Sequence, residues 1–219
     1  MNEFQFLKQE IESSFLSKSV LHNSSTGDGR LESAESEVDI ANHIKLLFAD
    51  NPEVEVMDAP RPRHWYDILI KYKEETYPIN IKITSGTSAD NVSSKLGLFY
   101  TLTGLWPENV SVNLNNWEPY NKALTSNFKD SNADYYFIVY FKNEEVFLFT
   151  SLKRIQTLNP NGNNLPFQCN WSKNWEPTDR TADAQREYLM NTFIQSYIQK
   201  ARGLDILLDW KNSNEKNLI

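Results

Sequence analysis

In the stretch ETYPINIKITSG, residues 75–86, Ile79, Ile81 and Ile83 alternate with Asn80, Lys82 and Thr84. Side chains on a strand point to opposite faces in turn. The three isoleucines therefore enter one core together, and Asn80 and Lys82 project from the opposite face. A second apolar run, YDILIKY at 66–72, lies just upstream across a charged turn. The two runs read as a β-hairpin. Asp67 heads its first strand, and hairpin pairing brings it toward Asn80 and Lys82.

Around the hairpin the periodicity alternates between helix and strand. Residues 4–20 read as a short amphipathic helix (Phe4, Leu7, Ile11, Phe15), and NSSTGDGR, 23–30, reads as a loop of turn formers. A helix is expected over about 32–49, where Ile40, Ala41, Ile44, Leu47 and Phe48 recur at helical spacing until Pro52 stops it. VEVMDAPRPR runs as a strand into a proline-stiffened connection. After the hairpin, a polar loop leads into a helix near 92–102. YYFIVYFKNEEVFLFT, 135–150, is a second hairpin turning at 142–145. Thr181 caps a helix over about 182–202, with Asp183 in its first turn and Gly203 at its end. The motif NWEP at 116–119 and 174–177 reads as two aromatic-anchored turns. The order of elements implies mixed α/β or α+β architecture, expected as one domain over 1–219.

Composition narrows the classes. Hydrophobic content of 40% with 13% aromatic residues describes a folding chain and excludes disorder. The sequence has no long apolar run for a membrane span and no basic-then-apolar leader. The lone Cys169 excludes an intrachain disulfide and a multi-cysteine zinc site, as a reducing cytoplasm would favour, and it has no recognisable nucleophile context. The net charge of −7 argues against a nucleic-acid partner until it is divided: residues 1–60 hold 4 Lys and Arg against 12 Asp and Glu. The remainder is close to neutral. Its Arg61, Arg63, Lys71, Lys73, Lys95, Lys122, Arg180 and Arg186 are available to line a groove or to be ordinary solvated charges.

An acid, a neutral oxygen ligand and a lysine on one sheet face suit metal-dependent phosphodiester chemistry. Mg²⁺ takes few protein oxygens and fills its octahedron with water and phosphate. A lysine beside it orients the attacking water and adds positive charge. The same Asp67 and Lys82 would also serve as a plain cross-strand ion pair.

The pattern of Asp67, hairpin and Asn80-Ile81-Lys82 is similar to the PD-(D/E)XK nuclease signature of type II restriction endonucleases, Holliday junction resolvases and related enzymes. KITSGTSADNVSSKLGLFYTLTG, from Lys82 onward, resembles stretches of type II restriction enzymes. EPTDRT, 176–181, resembles the part of an eight-base, AT-specific cutter that precedes its last long helix. A glutamate-bearing helix before the hairpin also matches. The likeness in element order spans about residues 30–200, and likeness of motif is confined to 67–104 and 176–181. It implies a restriction-endonuclease-like central mixed β-sheet flanked by helices, in a bacterial cytoplasmic enzyme. The implied activity is Mg²⁺-dependent double-strand cleavage at a specific palindromic DNA site by a homodimer. A repair or resolvase nuclease and a non-catalytic DNA-binding protein of the same fold are the alternatives. A protein- or sugar-binding module using the Trp/Asn turns is a third, from another class.

The chain departs from the family at Asn80, where the pattern has Asp or Glu; an amide oxygen is a weaker ligand. Asp67, Asn80 and Lys82 are nonetheless the candidate catalytic residues. Glu37 is the candidate for the missing acid, because positions 37, 40, 41 and 44 share a helical face and put a carboxylate on the inward stripe. Glu35 is the reserve, and a Glu37 that reaches out to solvent is the alternative. The candidate metal ligands are thus Asp67, Glu37 and Asn80. Ser85, Thr87, Ser88, Asn91, Ser94 and Lys95, with Arg63, are the candidate DNA contacts. Ser88 or Asp90 would cap the following helix in the same loop. His64 is a weaker phosphate candidate, and His22 and His43 have no visible partners. Arg180 is expected to contact DNA or to pair with Asp179 or Asp183.

Overall fold

The computed structural model describes residues 2–16, 29–92 and 94–214. Residues 17–20 of the first expected helix, His22 and most of the 23–30 loop lie outside the described residues. In chain order the elements are α1 (Glu3–Ser13), α2 (Gly29–Leu47), β1 (Val54–Asp58), β2 (Ile68–Tyr72), β3 (Glu75–Thr84) and β4 (Asp90–Val92). There follow α3 (Lys95–Thr103), α4 (Trp117–Ser126), β5 (Tyr136–Phe141), β6 (Val146–Ser151), β7 (Asn159–Pro160) and β8 (Phe167–Cys169). The chain continues through α5 (Ala182–Ala201) and α6 (Leu204–Asn214).

The class is mixed α/β, as expected. A five-stranded sheet runs in the order β1-β2-β3-β5-β6, with β3 antiparallel to β2 and parallel to β5. The alternation in β3 divides two cores. Ile79 and Ile81, with Ile68 and Ile70 of β2, pack against Leu7 and Ile11 of α1 and Ile40 and Ile44 of α2. On the other face Phe137, Val139 and Phe141 of β5 meet Leu98 and Leu102 of α3, Tyr120 of α4 and Leu189 of α5. Both faces are covered, which is why β5 reads YFIVYF without a polar residue. On the α1 side, the Phe149 N–H of β6 donates to Glu12 Oε1 at 2.9 Å. On the α3 side, Gly97 packs so closely on Tyr135 that an added Cβ would lie 2.5 Å from the ring.

Five sequence expectations change. The first helix ends at Ser13 with Ser14 as its C-cap, so Phe15, expected on its apolar face, lies beyond the helix and is 67% exposed. The polar loop after β3 contains β4, which pairs with β8 in a second sheet of order β4-β8-β7. The following helix begins at Lys95, because Ser94 Oγ accepts from the Gly97 N–H at 3.0 Å. The cap is therefore Ser94, and neither Ser88 nor Asp90. Of the two NWEP motifs only the second is a turn; in the first, Trp117, Glu118 and Pro119 form the first turn of α4. Gly29 and Arg30, expected in a loop, begin α2.

Asp134, just before β5, is buried and accepts from the Tyr135 N–H at 2.8 Å and the Lys153 N–H at 3.2 Å. Burial pushes its carboxyl up to about 6 against these bonds. Raising an acid's pKa in the fold favours the protonated form. The resulting stability is therefore present below its ordinary value of 3.8 and is lost as pH rises through about 6. Asp134→Asn cannot titrate, so the melting temperature of the variant should gain on the parent between pH 4 and pH 7 (about the span of the two pKa values). A gap between the two proteins that stays constant with pH contradicts this.

Candidate active site

The site begins with an irregularity in the sheet. The Asp67 N–H donates to Ile79 O at 2.8 Å, and Asp67 Oδ2 accepts from the Ile81 N–H at 2.7 Å. Backbone and side chain of one residue thus hold β3 on either side of Asn80. On its other edge Asp67 O accepts from the Ala59 N–H at 3.0 Å. Burial raises the Asp67 carboxyl, while the Ile81 N–H and the charge of Lys82 oppose the rise.

Asn80 is buried, at 8% exposure, and its Oδ1 has no hydrogen-bond partner. Such an atom forfeits its hydration without return, a cost of about 1–3 kcal/mol. The phenol of Tyr135 is close by: burial raises its pKa well above the ordinary value, and the side chains of Ser94 and Asn80 act against that rise. Tyr135 Oη donates to Trp65 O.

Two adjoining clefts open here. The larger, about 520 Å³, has Glu37, Asp58, Arg61, Arg63 and Asp67 in its wall. The smaller, about 210 Å³, has Asn80, Ser94, Lys95 and Arg63 in its wall. Arg63 and His64 border both. Arg63 is exposed in the left-handed region, at φ 57°, which is uncommon for a non-glycine residue. The three residues expected as one ligand set are divided: Asp67 and Glu37 line the larger cleft, and Asn80 lines the smaller with Ser94, Lys95 and Arg63. Lys82 lines neither cleft, yet its charge is felt at Asp67 and at Asp90. Glu37 is half-buried and Glu35 exposed.

Most of the remaining candidates are engaged within the chain. Lys95 Nζ donates to Asn115 O at 2.6 Å and lies 4.3 Å from the Trp117 ring centroid, and burial lowers its pKa. Ser85 Oγ is 2.9 Å from Thr87 Oγ1. Asn91 Oδ1 accepts from Asn161 and Gln168, each at 3.2 Å. Ser94 is spent on its cap; Thr87 and Ser88 are exposed. His64 Nε2 is 3.2 Å from Glu108 Oε1, and burial lowers its pKa against the pull of that carboxylate. His43, expected without a partner, lies 3.0 Å from Ser14 Oγ through its Nε2. Arg180 pairs with neither Asp179 nor Asp183: its Nη1 donates to Gln156 O, Thr178 Oγ1 and Gln185 Oε1, and its guanidinium lies 3.8 Å from the Tyr188 ring centroid. Among the groove candidates, Lys71 pairs with Glu55, Lys73 with Glu3, and Arg186 with Asp183 and Asp130. Arg61 and Arg63 stand exposed at the rim of the larger cleft.

One acid beside the site escaped sequence reasoning. Asp90, in β4, has a buried Oδ2 without a hydrogen-bond partner. Burial raises its pKa, and Thr84, Lys82 and Trp171 oppose the rise. Asp90 looked like a helix cap in a polar loop, and only the three-residue strand pairing with β8 turns it toward β3.

The donors suit a hard cation. Asp67 and Glu37 line one cleft with carboxylates, and Asn80, whose Oδ1 is buried and orphaned, lines the adjoining one with a neutral oxygen donor. Among the described residues no group of three or more His, Cys, Asp or Glu converges on a point. A cation here would therefore complete its shell with water and substrate oxygens, as Mg²⁺ does. Compared with known protein families and with curated proteins, the chain matches none.

The bond from Ile81 to Asp67 separates a structural role from a chemical one. Asp67→Ala strands a buried N–H and should cost about 1–3 kcal/mol in denaturant unfolding. Asp67→Asn keeps an acceptor oxygen and should cost clearly less. Equal stability of the two variants would show that the bond contributes nothing.

Proposed function

We propose that this chain is a Mg²⁺-dependent deoxyribonuclease of the type II restriction class, cutting both strands of a palindromic DNA site as a homodimer. The observation that carries the reading is the bracketing of Asn80 by Asp67: the Asp67 N–H and Oδ2 bind the backbone on either side of Asn80, whose amide oxygen is buried without a partner, and the Lys82 charge is felt at the carboxylate. The resemblance of Asp67…Asn80-Ile81-Lys82 to the PD-(D/E)XK signature supports it. So does the mixed sheet flanked by helices, with Glu37 on the helix before the hairpin and in the same cleft as Asp67.

In this reading Asp67, Asn80 and Glu37 hold the cation through oxygen, and Lys82 orients the attacking water and adds positive charge as the phosphate becomes pentacoordinate. When bound, Mg²⁺ neutralises phosphate charge and makes a water nucleophilic near neutral pH. Arg61 and Arg63 meet the phosphate backbone at the rim. The isoleucines anchor the platform from behind. A homodimer follows because a palindrome offers one equivalent scissile bond on each strand.

A second reading has one specific observation in its favour. Asp67 Oδ2 is already used by the Ile81 N–H, as a structural acid would be. The chain would then bind DNA without cutting it.

Purified protein with Mg²⁺ should digest phage DNA to discrete bands. Lys82→Ala should lower the rate by about 100-fold or more while DNA binding survives, because the lysine acts on the water and the transition state. Binding without cleavage supports the second reading, preferential cutting of branched DNA a resolvase, and absence of DNA affinity at low salt removes all three. Glu37→Ala and Asn80→Ala then divide the ligand roles. Loss of a charged ligand should abolish Mg²⁺-dependent cleavage and loss of a neutral one should leave part of it. Full activity of Glu37→Ala with a dead Asn80→Ala reverses the assignment.

A further inference from the structure

The small sheet carries a row of amides. Asn91 of β4 stands opposite Gln168 of β8, and Gln168 stands opposite Asn159 of β7. Residues directly opposite across an antiparallel pair share a face. Here it is the outer face: Asn91 and Asn159 are exposed, whereas Val92, Phe167 and Cys169, which point the other way, are buried.

The orientation of these amides is fixed from beneath. Asn161 is buried, and its Oδ1 accepts from the backbone N–H groups of Asn163 at 3.0 Å and Asn164 at 3.2 Å. A backbone N–H can only donate, so the Asn161 oxygen must lie there and its Nδ2 must turn to Asn91. Asn91 then turns its own oxygen inward: Oδ1 accepts from Asn161 Nδ2 and from Gln168 Nε2, each at 3.2 Å. What is left for an outside partner is a donor, Asn91 Nδ2, beside an acceptor, Gln168 Oε1.

We infer that this face reads an adenine in the major groove of DNA, with Asn91 and Gln168 as specificity-determining residues. The inference rests on the proposed function, and the row adjoins that site: Asn91 lies just ahead of Ser94, which is in the wall of the smaller cleft. Adenine presents an acceptor, N7, beside a donor, N6–H, and the donor and acceptor of Asn91 and Gln168 match them. Guanine presents two acceptors, N7 and O6, and sets O6 against Gln168 Oε1. A short β-ribbon enters the major groove as a helix does. Charge agrees with a polyanion. The net charge is −7, yet residues 155–173, which supply β7, β8 and their connections, contain no acid and end on the exposed Lys173. The acid of β4, Asp90, stands opposite the buried Cys169 on the inner face.

The test is selection of random-sequence duplex DNA by the full chain without Mg²⁺, so that no strand is cut. The bound duplexes should hold adenine at a fixed position. Placed there, 7-deazaadenine, which lacks the N7 acceptor, should weaken binding by the parent about tenfold, within what one bidentate base contact contributes. Asn91→Ala should bind the two duplexes alike. Gln168→Ala should accept guanine for adenine at the same position, and it covers the case in which Asn91→Ala misfolds by circular dichroism. The inference is overturned if adenine is not enriched, if the parent binds the 7-deazaadenine duplex as tightly, or if a folded variant discriminates as the parent does. Cleavage by a chain whose variants keep the parental base preference removes the reader and leaves the nuclease. An Asn91-dependent adenine preference without cleavage in Mg²⁺ does the reverse, and a chain that holds no DNA at low salt overturns both.

Discussion

At the start of β2 the Ile81 N–H of the neighbouring strand needs an acceptor, and the carboxylate of Asp67 provides it at 2.7 Å. A buried N–H left bare is costly, so the sheet depends on an acceptor side chain at this place. The consequence reaches beyond the hydrogen bond. Asp67 also takes Ile79 O through its own N–H, which leaves Asn80 between two fixed points, its face opposite to that of Ile79 and Ile81. The isoleucine side is close-packed against α1 and α2 and cannot yield. Polar side chains of β3 are thereby held on a rigid element, the condition a site needs if its groups are to stay in place.

The electrostatic character of the surface is local. Three of the eight basic residues that seemed able to form a groove are paired with acids of the same chain, Lys71 with Glu55, Lys73 with Glu3 and Arg186 with Asp183 and Asp130. What distinguishes the cleft is the pair Arg61 and Arg63 on the proline-stiffened segment over Asp67. Proline fixes φ on either side of Arg61, so this rim loses little entropy when it meets a ligand. Net charge alone carries no information about such a rim.

The fold was legible where a period repeats over several residues. Alternation in 79–84 placed β3 and its two faces, the run 135–150 placed β5 and β6, and Thr181 placed the start of α5. Glu37 was named from the inward stripe of its helix together with the family resemblance, and it lines the cleft of Asp67, whereas Asn80, named with them, lines the adjoining one. Short elements were illegible for a physical reason: β4 and β8 are three residues each, too few for a period, and form through long-range pairing. Asp90 and the engagement of Asn91 went unseen with them. Arg180 was misjudged because three acceptors from separate segments, Gln156, Thr178 and Gln185, outcompete the adjacent aspartates. The repeated NWEP shows the same limit, since one copy opens α4 and the other closes a turn around the buried Asn174, whose Oδ1 accepts from the Gln156 and Thr157 N–H groups.

The central claim is that the orphaned oxygen of Asn80 and the carboxylate of Asp67 form one cation site. Mn²⁺ is a paramagnetic substitute for Mg²⁺ and accepts the same hard oxygen ligands. In nuclear magnetic resonance spectra, substoichiometric Mn²⁺ should broaden the Asn80 side-chain amide signal before those of Asn91, Asn161 and Asn174, and Asp67→Asn should abolish that selectivity. An Asn80 signal that persists while other amides broaden, or broadening unchanged in Asp67→Asn, would contradict the claim.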